Sequence, residues 1–155
     1  MSVERIFISR EPGGAQQECA RIRVESERGI VGDRHFGHND WPGQNLTLVE
    51  AEEIERFCAE FGRPADLAIT RRNLITRGIR LNALVGRTFT LGSVTLRGIE
   101  TCEPCSSLGR ALADERLPAA AVIRRWVGCG GLRAMVVEGG EIAVGAALVV
   151  TPDAP

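Results

Sequence analysis

The sequence predicts a mainly β fold, a closed or nearly closed β-barrel with a few peripheral helices. Three observations predict it: short alternating apolar and polar runs along the chain, 18 glycines placed largely at the breaks between them, and only two clearly helical stretches. A parallel α/β sheet needs regular strand–helix alternation, which is missing. The 155 residues suit one domain spanning 1–155, and a 44% hydrophobic fraction suits one buried core.

Residues 3–9 (VERIFIS) and 18–24 (ECARIRV) alternate as half-buried strands do, with Pro12, Gly13 and Gly14 turning the chain between them. Residues 29–45 (GIVGDRHFGHNDWPGQN) are rich in Gly, Asp and Asn and lack periodicity; loops of that length tend to carry function. The clearest helix runs from Glu50 to Phe61, with Ile54, Phe57, Cys58 and Phe61 on one face. Thr47 and Glu50 have capping-box spacing, Glu50, Glu52 and Glu53 suit the positive helix start, and Gly62 and Pro64 stop it. Strands are expected at 71–76, 86–91 and 93–99. A second helix is expected at 118–127, starting at Pro118, with Val122, Ile123 and Trp126 inward and Gly128 at its end. The chain closes on strands near 132–138 and 141–150, with Gly139-Gly140 as a hairpin signal.

Composition narrows the function. The net charge of −1 gives no sign of a nucleic-acid or anionic-membrane partner. The first residues form no apolar run of signal-peptide length, and no stretch nears a membrane span of about 20 apolar residues. The expected compartment is the cytoplasm. All 19 basic residues are Arg; with no Lys, the chain cannot form a Schiff base with pyridoxal phosphate, so no covalent pyridoxal phosphate is possible. Anions must be held by Arg, backbone amides or helix starts. The five cysteines, an odd number without a signal peptide, read as reduced thiols.

Cys102-Glu103-Pro104-Cys105 follows a predicted strand and precedes a possible short helical turn, a setting that lowers a thiol pKa. Thiolate is the metal-binding form. Structural zinc lacks a second ligand pair, a thioredoxin-like couple lacks its βαβ setting, and a plain packing cysteine stays open. In the loop Gly32-Asp33-Arg34-His35-Phe36-Gly37-His38, the two histidines and Asp33 suggest metal binding or proton handling; alternatively Asp33 caps a turn and the rings are solvated. Arg71-Arg72-Asn73 opens a predicted strand, where alternation would send one Arg inward and the other outward. One Arg beside Asn73 could clamp a phosphate; two surface arginines is the plainer reading. Cys129 lies in a turn between Gly128 and Gly130, while Cys58 and Cys19 read as packing residues.

From about Gly29 to Val150 the sequence resembles the MOSC family, named for the C-terminal domain of molybdenum cofactor sulfurases. The resemblance rests on the order and spacing of GIVGDRHFG at 29–37, NLTLVEAEEIERF at 45–57, RRNLITRGIRLNALVGRTFTLG at 71–92, CEPC at 102–105 and GGLRAMVVEGGEIAVG at 130–145. It matches the short stand-alone bacterial members best. It implies a MOSC-type β-barrel and a molybdenum cofactor (Mo-pterin) bound through a cysteine matching Cys105. It also implies an oxidoreductase that removes oxygen from small N-hydroxylated substrates; with no flavin, nicotinamide or iron–sulfur motif in the sequence, a separate electron-donor reductase is the expected partner. On that match Cys105 is metal ligand and catalytic residue. Arg34, Arg71, Arg72 and Asn73 line the cofactor side, and His35 relays protons. A non-catalytic carrier of cofactor or sulfur is the alternative. The chain departs from many relatives at Arg72, where they have Glu, and at Ala146, where they have Asp.

Overall fold

A single curled sheet of eight strands forms the body of the molecule, in the order β11-β7-β8-β9-β5-β6-β1-β2. The computed structural model describes residues 1–38, 40–41 and 45–152. In chain order the elements are β1 (Ser2–Ile8), β2 (Gln17–Glu18), β3 (Arg21–Glu25), β4 (Gly29–Ile30), β5 (Leu46–Glu50), α1 (Ala51–Glu60) and β6 (Leu74–Arg77). A 3-10 turn (Leu81–Leu84) leads to β7 (Thr88–Leu91), β8 (Val94–Thr101), α2 (Ser106–Leu112), α3 (Ala119–Trp126), β9 (Leu132–Glu138), β10 (Gly140–Ala143) and β11 (Leu148–Val150). Among the named strands the pairing is antiparallel except between β5 and β6, and α1 makes the crossover between those two. A smaller sheet, β10-β3-β4, packs against the body.

The barrel is nearly closed. Its first and last strands meet at one antiparallel bridge, Ser2 to Ala147. Three backbone bonds support that seam: Val3 N to Ala146 O at 3.0 Å, Gly145 N to Val3 O at 2.8 Å and Leu148 N to Met1 O at 3.0 Å.

Both faces of the central strands are covered, which explains their unbroken apolar runs. Ile6, Leu48 and Leu74 join the barrel interior with Phe89, Leu96 and Leu132. Their neighbours Phe7, Val49 and Ile75 point the other way, into a second core beneath the helices with Ile54, Phe57, Val122 and Trp126. Phe57 and Trp126 pack with ring centroids 5.3 Å apart.

The helices lie close to where the sequence puts them, but four local expectations are corrected. Thr47 does not cap α1: it lies within β5, and the Glu50 carboxylate accepts instead from Leu81 N at 2.9 Å and from Arg80. The strand expected at 71–76 starts only at Leu74, because Arg71 takes a left-handed φ of 58° that breaks extended geometry. The expected 141–150 strand is two, β10 and β11, in different sheets. No Gly139-Gly140 hairpin forms: β9 pairs with β5 and β8, whereas β10 turns away to β3. Among the described residues no helix is long and apolar enough to cross a membrane.

Candidate functional site

The site lies on the outer face of the sheet, beside the helical layer. Within β9, Leu132 and Ala134 face the barrel interior, so alternation turns Arg133 outward. Thr47 of β5 pairs with Arg133, and its hydroxyl accepts from Asn73 N at 3.1 Å.

The loop after β4 is anchored onto this floor by Asp33. Its side chain is 1% exposed. Oδ1 accepts from Ser9 N at 3.0 Å and Asn73 Nδ2 at 3.4 Å, and Oδ2 accepts from His35 N at 3.1 Å. Asp33 thus makes the local turn expected from the sequence and also fixes Arg34 and His35. Asn73 is engaged at both ends: Nδ2 donates to Phe7 O and Oδ1 accepts from Thr47 N, each at 3.1 Å. Asn73 therefore supports the wall through its own hydrogen bonds.

Two adjoining cavities share that wall. One, of about 240 Å³, is lined by Arg34, His35, Trp41, Thr47, Arg71, Arg72 and Arg133 among others. The other, of about 180 Å³, includes Arg34, Thr70, Arg71, Arg72, Cys105 and Ser107. Arg34, Arg71 and Arg72 belong to both. The expectation that Arg71 and Arg72 face opposite ways fails, since the positive φ at Arg71 removes the strand alternation on which it relied. Arg71 Nη2 donates to Gly14 O at 2.7 Å, and Arg72 Nε donates to Gly130 O at 3.1 Å. A non-glycine residue in this backbone region is strained, and such strain concentrates at functional sites.

Cys105 is exposed, whereas Cys58 and Cys102 are buried. It occupies the N-cap position of α2. The Leu108 backbone N–H, then that of Ser107 and the charge of Arg72, hold its thiol below the ordinary value and outweigh the opposing effect of burial. Burial pushes the Cys102 thiol up. The same happens at Cys129, which lies in the expected turn but half-buried beside Arg125. The CEPC pair therefore holds one exposed thiol with a lowered pKa and one buried thiol with a raised one.

The arginines carry the electrostatics. Burial lowers the pKa of Arg34 most, and Arg71 and Arg72 lower it further, against the favourable charge of Asp33. Arg34 still stays charged, so three cations stand together. Its Nη1 is buried without a hydrogen-bond partner among the described residues, and the 3.8 Å approach to Asp33 is too long to be one. Partial burial and then Arg34 hold His35 below its ordinary value, so its ring is neutral at pH 7. His38 stacks edge-on to His35 at 6.1 Å. Among the described residues no cluster of three His, Cys, Asp or Glu side chains could hold a metal ion.

Sequence reasoning missed Trp41, Thr70 and Arg133. Arg133 was legible from its place between two core residues of one strand. Trp41, 5.9 Å from the Arg133 guanidinium, carries no periodic signal.

The comparisons with known proteins agree with this architecture. A MOSC domain model matches residues 31–149. No curated protein matches the sequence. The fold is similar to the YuaD protein from Bacillus subtilis, with a TM-score of 0.83 and 20% identity over 96% of this chain and 93% of that one. It is also similar to YiiM from Escherichia coli, with a TM-score of 0.70 and 19% identity over 99% of this chain and 71% of that one. YiiM from Geobacillus stearothermophilus gives 0.73 and 16%, over 97% and 75%. At these identities the likeness concerns the fold. The family model spans most of the chain, including Arg34, Arg71, Arg72 and Cys105, and the chain belongs to the MOSC domain family.

Proposed function

We propose that this protein binds a molybdenum cofactor, with Cys105 as the metal ligand and Arg34, Arg71 and Arg72 holding its anionic phosphate, and that it reduces small N-hydroxylated compounds. MOSC domains are known among molybdenum-cofactor-binding proteins. The observation that carries the reading is the juxtaposition of the Cys105 thiol, held below its ordinary pKa, with three arginines in one cavity wall.

The donor set fits the group. A thiolate is a soft ligand suited to a redox metal. The buried, unpartnered Nη1 of Arg34 gives a charged donor to an anionic oxygen. When bound, the molybdenum centre supplies two-electron redox chemistry at which an N–O oxygen is removed. The chain's own residues do the rest. Arg34, Arg71 and Arg72 bind and orient the anion, and Asp33 and Asn73 keep that wall in register. His35, neutral at pH 7, can take up a proton on a ring nitrogen at the wider cavity. Electrons come from a separate reductase, since the sequence carries no flavin, nicotinamide or iron–sulfur motif.

The test is metal and pterin content of protein purified from a cofactor-producing host, followed by turnover of a hydroxylamine or amidoxime with an artificial electron donor. Protein with neither metal nor pterin refutes cofactor binding. Protein that retains both without turnover is a carrier instead.

A further inference from the structure

Thr70 is 3% exposed, and its hydroxyl is buried with no hydrogen-bond partner among the described residues. Buried hydroxyls are normally paired, because leaving one unpaired is destabilising. Thr70 nevertheless lines the cavity that holds Cys105 and Ser107. Arg34 lines the same cavity, and its Nη1 is in the same condition. Thus two residues of one cavity wall, Thr70 and Arg34, each carry a buried donor without an acceptor, one neutral and one cationic.

The surroundings define what would satisfy them. Arg71 and Arg72 complete the wall, so a cation is excluded. Three guanidinium charges exceed the two negative charges of the Asp33 carboxylate and a Cys105 thiolate, so the space stays favourable to an anion. Arg71 Nη2 and Arg72 Nε already donate to Gly14 O and Gly130 O, and Arg34 Nη1 and Thr70 Oγ1 are the buried donors of this wall without a partner. An oxygen carrying negative charge can accept from both, and a tetrahedral oxyanion has further oxygens for the remaining arginine donors.

We propose that Thr70 is a ligand-contacting residue of this site and that, with Arg34, it forms an oxyanion seat beside Cys105. The seat rests on the cofactor reading only for the source of its anion, since a free tetrahedral oxyanion presents the same chemistry. Threonine supplies direction here and the arginine supplies charge.

The experiment follows melting of the full chain in wild type, Thr70→Val, Thr70→Ser and Arg34→Gln. Inorganic phosphate is titrated against chloride at matched ionic strength. Phosphate should raise the wild-type midpoint. Thr70→Val should weaken the apparent phosphate affinity about tenfold, Thr70→Ser should keep it within about twofold, and Arg34→Gln should remove most of it. Without phosphate, Thr70→Val should melt no lower than wild type, because valine is close in shape and removes an unpaired hydroxyl. A purely structural threonine gives the opposite sign. The proposal is overturned if phosphate does not stabilise wild type beyond chloride, if Thr70→Val binds it unchanged, or if Thr70→Val melts well below wild type without it.

Pterin content of the same variants from cofactor-producing cells separates the sources. Pterin lost selectively in Thr70→Val assigns the seat to the cofactor's own anion; pterin retained with weakened phosphate binding assigns it to a free oxyanion. Wild type that binds phosphate but never carries pterin refutes the cofactor reading and leaves the seat standing.

Discussion

Asn73 Nδ2 donates to Asp33 Oδ1 at 3.4 Å, and this contact between residues 40 positions apart fixes the Arg34–His35 loop to the start of β6. Asp33→Ala would leave Ser9 N and His35 N without their acceptor and Arg34 without its buried counter-charge. The expected loss is about 3 kcal/mol in urea unfolding, with an unchanged slope against denaturant. Asp33→Asn keeps one acceptor and should lose less. Equal stability of wild type and the alanine variant would show that the loop is held by other means.

The two thiols of the CEPC segment should separate cleanly in a metal assay. Cys105→Ser should abolish molybdenum retention, because a serine hydroxyl is a harder and far less acidic ligand. Cys102 is sheltered, so Cys102→Ser should leave metal content largely intact. Neither change opens a large cavity, and melting temperatures should confirm that both variants fold. If the pair works as a dithiol couple, both variants will be equally inactive and metal irrelevant.

Alkylation should show the same contrast as a function of pH. A thiol reacts as thiolate, so its rate climbs as pH rises through its pKa and then levels off. For Cys105 the midpoint should fall below the ordinary thiol value, and for Cys102 and Cys129 above it. Arg72→Ala should move the Cys105 midpoint upward, since the guanidinium favours the charged form. Mass spectrometry of partly labelled protein reads each site. A Cys105 midpoint at or above that of Cys129 would contradict the electrostatics described.

Gly131 and Gly128 both have positive φ, yet alanine should affect them very differently. At Gly131, with φ 104°, an added Cβ would stand 2.0 Å from the Leu48 carbonyl oxygen. Gly131→Ala should cost more than about 3 kcal/mol or prevent folding, because backbone would have to move at the junction of β5 and β9. At Gly128, with φ 77°, nothing lies within 4 Å, so Gly128→Ala should cost only about 1 kcal/mol of conformational strain. Similar losses from the two would mean that the β5–β9 junction yields more easily than its packing implies.

The parts of the fold that were readable in the sequence are those with strong local periodicity. The Ile54–Phe57–Cys58 stripe gives α1, and Pro118 and Trp126 bracket α3, because a one-sided apolar face fixes a helix whatever it packs against. Turns were less legible, since Gly139-Gly140 looks like a hairpin until long-range pairing sends β9 and β10 to different sheets. The site was half visible. Cys105, Arg34, Arg71 and Arg72 were candidates in the sequence and line one cavity, with His35 in the adjoining one, but the backbone of Arg71 was not legible, because a left-handed arginine leaves no mark in composition or spacing. Thr70 carries no motif or periodic signal, and only burial sets it apart.

A strand joined along a full ladder keeps its place when one rung opens; the seam between Ser2 and Ala147 has little such reserve. The barrel therefore has a built-in parting line, where one bridge and three backbone bonds stand in place of a ladder as long as that of β8 and β9. Amide protons of Val3, Gly145 and Leu148 should exchange with solvent sooner than those between β8 and β9, whose paired residues run from Thr95 to Thr101. Breathing of this kind would begin where the two ends of the barrel meet, while the strands that carry Arg133 and Thr47 stay shut.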